Sequence, residues 1–186
     1  MCALPSITRM EVGNLPGNRP AMPEDLGDGT VYYVSASTGW DGNDGLSPAT
    51  AWQTVEPVNR RTLQPGDSVL FCRGDVFVGQ HLALHGDGRP TAEGWITVDA
   101  YGQGEDPLFT EAIRNEPAVS LQAPEITGGY RIRHLQLQGY RVGIAASRPA
   151  QTVLDGLQIT DCTVRECTIH AGMDFRAQLP CGEPLA

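Results

Sequence analysis

The sequence predicts an all-β fold, a parallel β-helix in which short strands coil and stack into a solenoid. Three observations predict it. Apolar i, i+2 doublets recur at near-constant intervals along the chain. Its 22 glycines and 14 prolines favour short strands joined by many turns over long helices. The 186 residues are 40% apolar, enough for one buried core, and no apolar run approaches the ~18 residues of a membrane-spanning helix.

The doublets carry most of the argument. Val69 and Phe71 bracket a short strand, and Ile96 and Val98 bracket another 27 residues on. Val119 and Leu121 follow at an interval of 23, and Val142 and Ile144 at 23 again. A second ladder runs through Ile132, Leu135, Leu137, Tyr140 and Val142; shifted by 22 it falls on Leu154, Leu157, Ile159, Cys162 and Val164, all apolar. Residues at i and i+2 share one face of a strand. Two interleaved ladders of similar period mean that each repeat supplies more than one strand. A coil of ~22–25 residues with two or three strands buries its apolar face only by stacking on the next. A leucine-rich repeat is the competing template, since Leu154-x-x-Leu157-x-Ile159-x-x-Cys162-x-Val164 fits it. Against it, Val119/Leu121 and Val142/Ile144 form a separate strand ladder where that fold places its outer segment, and Val142-Gly143-Ile144 reads as strand.

In chain order, residues 1–29 hold Pro5, Pro16, Pro20 and Pro23 among glycines and acids and read as a flexible arm. Residues 30–172 form the β-helix domain, with a cap over about 30–68 and coils over about 69–172. Val31-Tyr32-Tyr33-Val34 opens it as a strand, and Thr38 to Gly45 is a dense turn cluster. One helix is predicted from Thr54, its N-cap, to about Leu63, with Pro57 harmless in the first turn and Val55, Val58 and Leu63 as a narrow apolar stripe. Pro65-Gly66-Asp67 ends it. From Met173 to Ala186 the pattern breaks at Pro180, Gly182 and Pro184, leaving an irregular tail at residues 173–186.

The residues Tyr32-Tyr33-Val34-Ser35, Gly39-Trp40-Asp41-Gly42-Asn43-Asp44-Gly45, Ser47-Pro48 and Trp52-Gln53-Thr54, followed by Leu63 to Phe71, Arg73-Gly74-Asp75, Gly79, Ile96-Thr97-Val98 and Tyr101-Gly102-Gln103-Gly104, carry a resemblance. The stretch is similar to the N-terminal cap and first coils of pectate-lyase-like right-handed parallel β-helix repeat proteins. The resemblance covers about residues 31 to 170. It implies a right-handed, single-stranded solenoid whose capping helix near Thr54 plugs the open end, where strand edges and core side chains would otherwise be exposed. It also implies a secreted or cell-surface protein, although no signal peptide is visible in Met1 to Met10. Relatives of this kind include polysaccharide lyases and glycoside hydrolases, with catalytic and calcium residues on middle coils. The coils here stop after two or three and lack a recognisable C-terminal cap. The expectation is therefore an N-terminal fragment, able to self-associate through the uncapped end.

The net charge of −9, from 13 basic and 22 acidic residues, repels nucleic acid and anionic membranes. The expected partner is a polysaccharide or oligosaccharide. For a lyase, a base removes the proton beside a uronate carboxylate while cations neutralise the developing charge. A hydrolase needs two carboxylates ~5–9 Å apart. Asp161, Arg165, Glu166, His170 and Asp174 are the polar candidates on the last coils, and Asp161 with Asp174 is the one suggestion of a carboxylate pair. Asp41, Asn43 and Asp44 gather oxygen ligands suited to Ca2+, but the cluster lacks a downstream bidentate glutamate and equally makes a turn. Gly66-Asp67-Ser68 matches an esterase signature that belongs to another fold and reads better as a turn. His81 and His85 sit among glycines, too far apart on a strand to share an ion, and read as surface or turn histidines. Arg73-Gly74-Asp75 reads as a turn with two solvated charges. The five cysteines contain no CxxC pair, and Cys162 reads as a small buried hydrophobe. Two function classes stay open: an enzyme acting on polysaccharide, and a non-catalytic carbohydrate-binding, adhesin-like or structural module.

Overall fold

The recurring doublets become strands, and the strands sort into three parallel sheets. The computed structural model describes residues 22–23, 26–89, 91, 93–110, 116–122, 128–147, 155–166 and 168–170. The first sheet holds β1 (Val31–Val34), β3 (Ser68–Cys72), β6 (Ile96–Tyr101), β9 (Gly128–Arg133) and β12 (Asp155–Thr160), paired in that order. The second holds β4 (Val76–Val78), β7 (Leu108–Thr110), β10 (Gln136–Gln138) and β13 (Thr163–Arg165). The third holds β2 (Thr62–Leu63), β5 (Leu82–Gly86), β8 (Pro117–Gln122), β11 (Val142–Ser147) and β14 (Thr168–His170). Each circuit of the chain thus lays one strand on each sheet. Four such circuits, β3-β4-β5 through β12-β13-β14, follow the partial one that begins at β1, more than the two or three expected. The chain is mostly β, in parallel sheets with almost no helix, a parallel β-helix-like fold. Among the described residues, no helix is long and apolar enough to cross a membrane.

The core is built from columns of stacked residues. On the first sheet Tyr32, Val69, Val98, Ile132 and Ile159 are register partners in succession. On the second the column is Phe77, Phe109, Leu137 and Val164; on the third, Leu82, Val119 and Ile144. The phenyl rings of Phe71, Phe77 and Phe109 meet in the middle with centroids 4.9–5.2 Å apart, two contacts edge-to-face and one stacked.

The ladders differ from the expected ones in instructive ways. Val69/Phe71 and Ile96/Val98 belong to the first sheet, whereas Val119/Leu121 and Val142/Ile144 belong to the third. The expected single ladder therefore joins two. In the second ladder Ile132 stacks on Ile159 and Leu137 on Val164, a period of 27 rather than 22. The pattern repeats itself internally every five residues (Leu154 to Ile159 to Val164, and Ile132 to Leu137 to Val142), so both shifts land on apolar positions.

The helix is also shorter than predicted. α1 spans only Glu56–Asn59, with Pro57 in its first turn. Its N-cap is Val55, although the Thr54 hydroxyl does accept from the Glu56 N–H at 3.3 Å. Thr62 and Leu63 leave the helical path because they pair with His85 and Gly86 on the third sheet, where Leu63 is buried. Between them, Arg61 lays its guanidinium carbon 5.0 Å from the Tyr32 ring and 4.9 Å from the Trp52 ring.

Arg73-Gly74-Asp75 is not a solvated turn. Asp75 is buried and accepts from the Ser35 hydroxyl at 2.8 Å, and Arg73 pairs with Asp106. Of the N-terminal stretch, Leu26 packs by Tyr33, Leu70 and Tyr101, and the Gly29 N–H donates to the Gly66 carbonyl at 3.2 Å.

Candidate functional site

The turn cluster before α1 is held by its own hydrogen bonds. Asp41 Oδ1 accepts from the N–H groups of Gln53 and Thr54, both at 2.8 Å, and Oδ2 accepts from the Thr54 hydroxyl at 2.6 Å. Asn43 donates to the Ala51 carbonyl, and Asp44 accepts from the Leu46 N–H at 3.0 Å. That N–H, with the Thr50 hydroxyl, holds the Asp44 carboxyl below its usual range. Gly45 lies at φ +73°, and a Cβ there would fall 2.5 Å from the Trp52 ring. The Trp52 indole N–H donates to the Asn43 carbonyl at 2.8 Å. The polar atoms of Asp41, Asn43 and Asp44 thus wrap the chain around Trp52. Among the described residues, no group of three or more His, Cys, Asp or Glu side chains is arranged to hold a metal ion.

A different constellation forms where the first sheet turns into the second. β9 reaches β10 through His134 and Leu135, and one circuit later β12 reaches β13 through Asp161 and Cys162. His134 and Asp161 both take left-handed backbone angles, φ +51° and +53°, which turn the chain sharply and aim both side chains off the corner. Their stacking brings His134 Nε2 to 4.0 Å from Asp161 Oδ2. Beneath them Asp99, on the outer face of β6 between the core residues Val98 and Ala100, has a side chain only 1% exposed. It accepts from the Ala100 N–H at 2.7 Å, meets His134 Nδ1 at 2.6 Å and pairs with Arg133 Nη2 at 2.9 Å.

These contacts assign roles. An ionised Asp99 only accepts, so the hydrogen between it and the imidazole sits on Nδ1. His134 Nε2 then faces outward, an acceptor while the ring is neutral and a donor when it is protonated. The His134 side chain is 34% exposed and that of Asp161 63%, so both reach solvent and can reach a ligand. Three residues before His134, on β9, Arg131 lies 5.0 Å over the ring of Trp95 and donates to Gln158 Oε1 at 3.1 Å. Trp95 is buried beneath Arg131, and the strip from Arg131 and Gln158 to His134 and Asp161 carries charge-assisted donors and a carboxylate.

Of the candidates read from sequence, Asp161 is in this strip. Arg165 ends β13 on the second sheet, level with Gln138, and Glu166 holds the following left-handed corner at φ +54°. His170 is in β14 on the third sheet, level with Ala145; its side chain and all of Asp174 lie outside the described residues. The described candidates therefore sit on different faces. Asp99, Arg133 and His134 are additions from the structure. One signal for Asp99 was in the sequence, an acid inside the buried run Ile96 to Tyr101; its partner 35 residues away was not. Cys162, beneath the corner, is partly buried, and desolvation pushes its thiol up to about 11.

Comparison with known proteins points in one direction. No family model matches the chain. Over 80 residues, 42% of this chain, it is 40% identical to a lacto-N-biosidase of Bifidobacterium longum subsp. longum. Over 62 residues, 33% of this chain, it is 37% identical to alpha-1,3-galactosidase A of Akkermansia muciniphila. These matches span 5% and 10% of the two relatives' own lengths. Among solved structures, the GH136 lacto-N-biosidase of Eubacterium ramulus aligns over 73% of this chain and 30% of its own, with a TM-score of 0.48 and 24% identity. Its selenomethionine derivative aligns over 76% and 27%, with a TM-score of 0.42 and 25% identity. The similar sequences are glycoside hydrolases, and pectate lyases are not among these matches.

Proposed function

We propose that this chain is a segment of a carbohydrate-processing protein of the glycoside-hydrolase kind, and that it contacts sugar along the His134–Asp161 corner. The observation that carries the reading is the 40% identity to a lacto-N-biosidase over 80 residues. It favours hydrolysis over the lyase chemistry that the pectate-lyase resemblance equally allowed. The names of the two relatives point to lacto-N-biosyl and α-1,3-galactosyl groups as the first ligands to try. We read the coil as a right-handed single-stranded solenoid, since crossovers between parallel strands are right-handed in nearly all cases. α1 and the Trp52 turn serve as its N-terminal cap, and the protein acts outside the cell.

In this reading Asp161 accepts sugar hydroxyls and His134 exchanges protons with them. Asp99 holds the imidazole in position and does not touch the ligand. Hydrolysis needs two carboxylates that both reach the glycosidic bond. Asp99, buried and paired with Arg133, is not the second. That observation favours a second reading, a non-catalytic carbohydrate-binding module.

The test is titration of the chain with oligosaccharides ending in lacto-N-biosyl or α-1,3-galactosyl groups, together with an assay for released sugar. Saturable binding is expected, weakened roughly 10-fold by Asp161→Asn, because a hydrogen bond to a charged group is lost. Asparagine tolerates the left-handed corner, so the fold is retained. Release of sugar selects the hydrolase and binding without release selects the module. Absence of saturable binding to either sugar, or equal affinity of the variant, contradicts the reading.

A further inference from the structure

The outer face of the third sheet carries a second polar cluster that the corner site does not use. Leu82, Leu84, Val119, Leu121 and Ile144 are buried in the core, so alternation along their strands puts Ala83, Ser120 and Ala145 on the opposite face. These three are register partners and form one row across the sheet. His81, just before β5, places Nε2 2.7 Å from Ser120 Oγ and Nδ1 3.1 Å from Glu116 Oε2. A carboxylate only accepts, and a neutral imidazole has one N–H. The hydrogen therefore lies on Nδ1 toward Glu116, and the Ser120 hydroxyl donates to Nε2. Acid, base and hydroxyl stand in the order that activates a serine.

The surroundings support the same role. The Asn59 side chain grips the segment that carries the base, donating to the His81 carbonyl and accepting from the Ala83 N–H, both at 2.8 Å. The Gln122 amide donates to Ser120 Oγ at 3.0 Å. A donor so close to the reacting oxygen is the kind of group that steadies charge developing beside it. Ser120 is only 4% exposed, on the floor of this face, and the small side chains of Ala83 and Ala145 flank it along the row. So little exposure admits a short acyl group more readily than a long one.

We propose that Ser120, His81 and Glu116 form an acyl-transfer centre that removes a small acyl group, such as acetyl, from a sugar ester. Ser120 Oγ bonds to the acyl carbonyl carbon as its proton passes to His81 Nε2. The bond from that carbon to the sugar oxygen breaks, and the leaving oxygen takes the proton from His81. Water then repeats the sequence on the acyl-serine, releasing the carboxylic acid and restoring the hydroxyl. Glu116 stays ionised and holds the ring. The choice of a sugar ester rests on the carbohydrate reading above; the acyl transfer does not.

The chain is treated with a fluorophosphonate probe and the adduct located by mass spectrometry, while hydrolysis of p-nitrophenyl acetate, butyrate and octanoate is followed. The expected adduct is on Ser120. Acetate hydrolysis should exceed octanoate hydrolysis and fall at least ~100-fold in Ser120→Ala. His81→Gln should lose both activity and labelling. Probe labelling of the unaltered chain does not depend on any variant folding. A chain that leaves Ser120 unlabelled, or that hydrolyses acetate as fast in Ser120→Ala as in the wild type, overturns the proposal. Sugar binding at the His134–Asp161 corner is measured separately and should be unchanged in Ser120→Ala, so the two readings fail independently.

Discussion

At the scale of single residues, the decisive feature is a buried charge with its partners. Asp99, buried to 1% exposure without partners, would be prohibitively costly; Arg133 and His134 make it tolerable. Arg133→Met keeps the length of the side chain and removes its charge, leaving Asp99 with only His134 and the Ala100 N–H as partners. We expect a loss of about 3–5 kcal/mol in urea unfolding; a loss under ~1 kcal/mol would mean that solvent or His134 already neutralises Asp99. Some of this scale was legible in the sequence. The glycine and aspartate spacing around Trp40 announced a tight turn, and Gly45 is now explained by the Trp52 ring packed against it. The partnership of His81 with Ser120 and Glu116 was not legible. Local spacing excludes a shared ion between His81 and His85 and suggests no more than a surface or turn group, whereas the partners of His81 lie 35 or more residues away in β8 and just before it.

At the scale of elements, strand pairing outweighs local preference. The apolar stripe Val55, Val58, Leu63 is compatible with a helix, yet Leu63 is better buried as a strand residue beside Gly86, and the helix is cut to one turn. The doublets showed that strands stack but did not separate the sheets, because all three use the same i, i+2 pattern. The interval is ambiguous in sequence for a related reason: a five-residue repetition in the last two coils makes a 22-residue shift fit as well as one of 27. The strand positions themselves were legible, since burial of alternate residues leaves a direct mark on sequence. Phe109 tests the packing. It sits in the second-sheet column between Phe77 and Leu137 and touches Phe71. Phe109→Ala should cost about 3–5 kcal/mol. Val78→Ala, at an exposed position of the neighbouring β4, should stay within about 0.5 kcal/mol. Equal effects at the two positions would place Phe109 outside the core.

For the whole molecule, the three columns of stacked side chains hold the coil together and place both polar clusters. The His134–Asp161 corner exists because equivalent turns recur one circuit apart, and the Ser120 row exists because β5, β8 and β11 lie in register. The corner therefore depends on a stacking interval of 27 residues in the last circuits, and the Ser120 row on pairings 37 and 25 residues apart. Interstrand nuclear Overhauser contacts in the isotopically labelled chain measure that interval directly. The structure predicts backbone contacts from Leu137 to Phe109 on one side and to Val164 on the other. Contacts from Leu137 to Ile159 instead would establish the 22-residue interval, separate His134 from Asp161 and contradict the account.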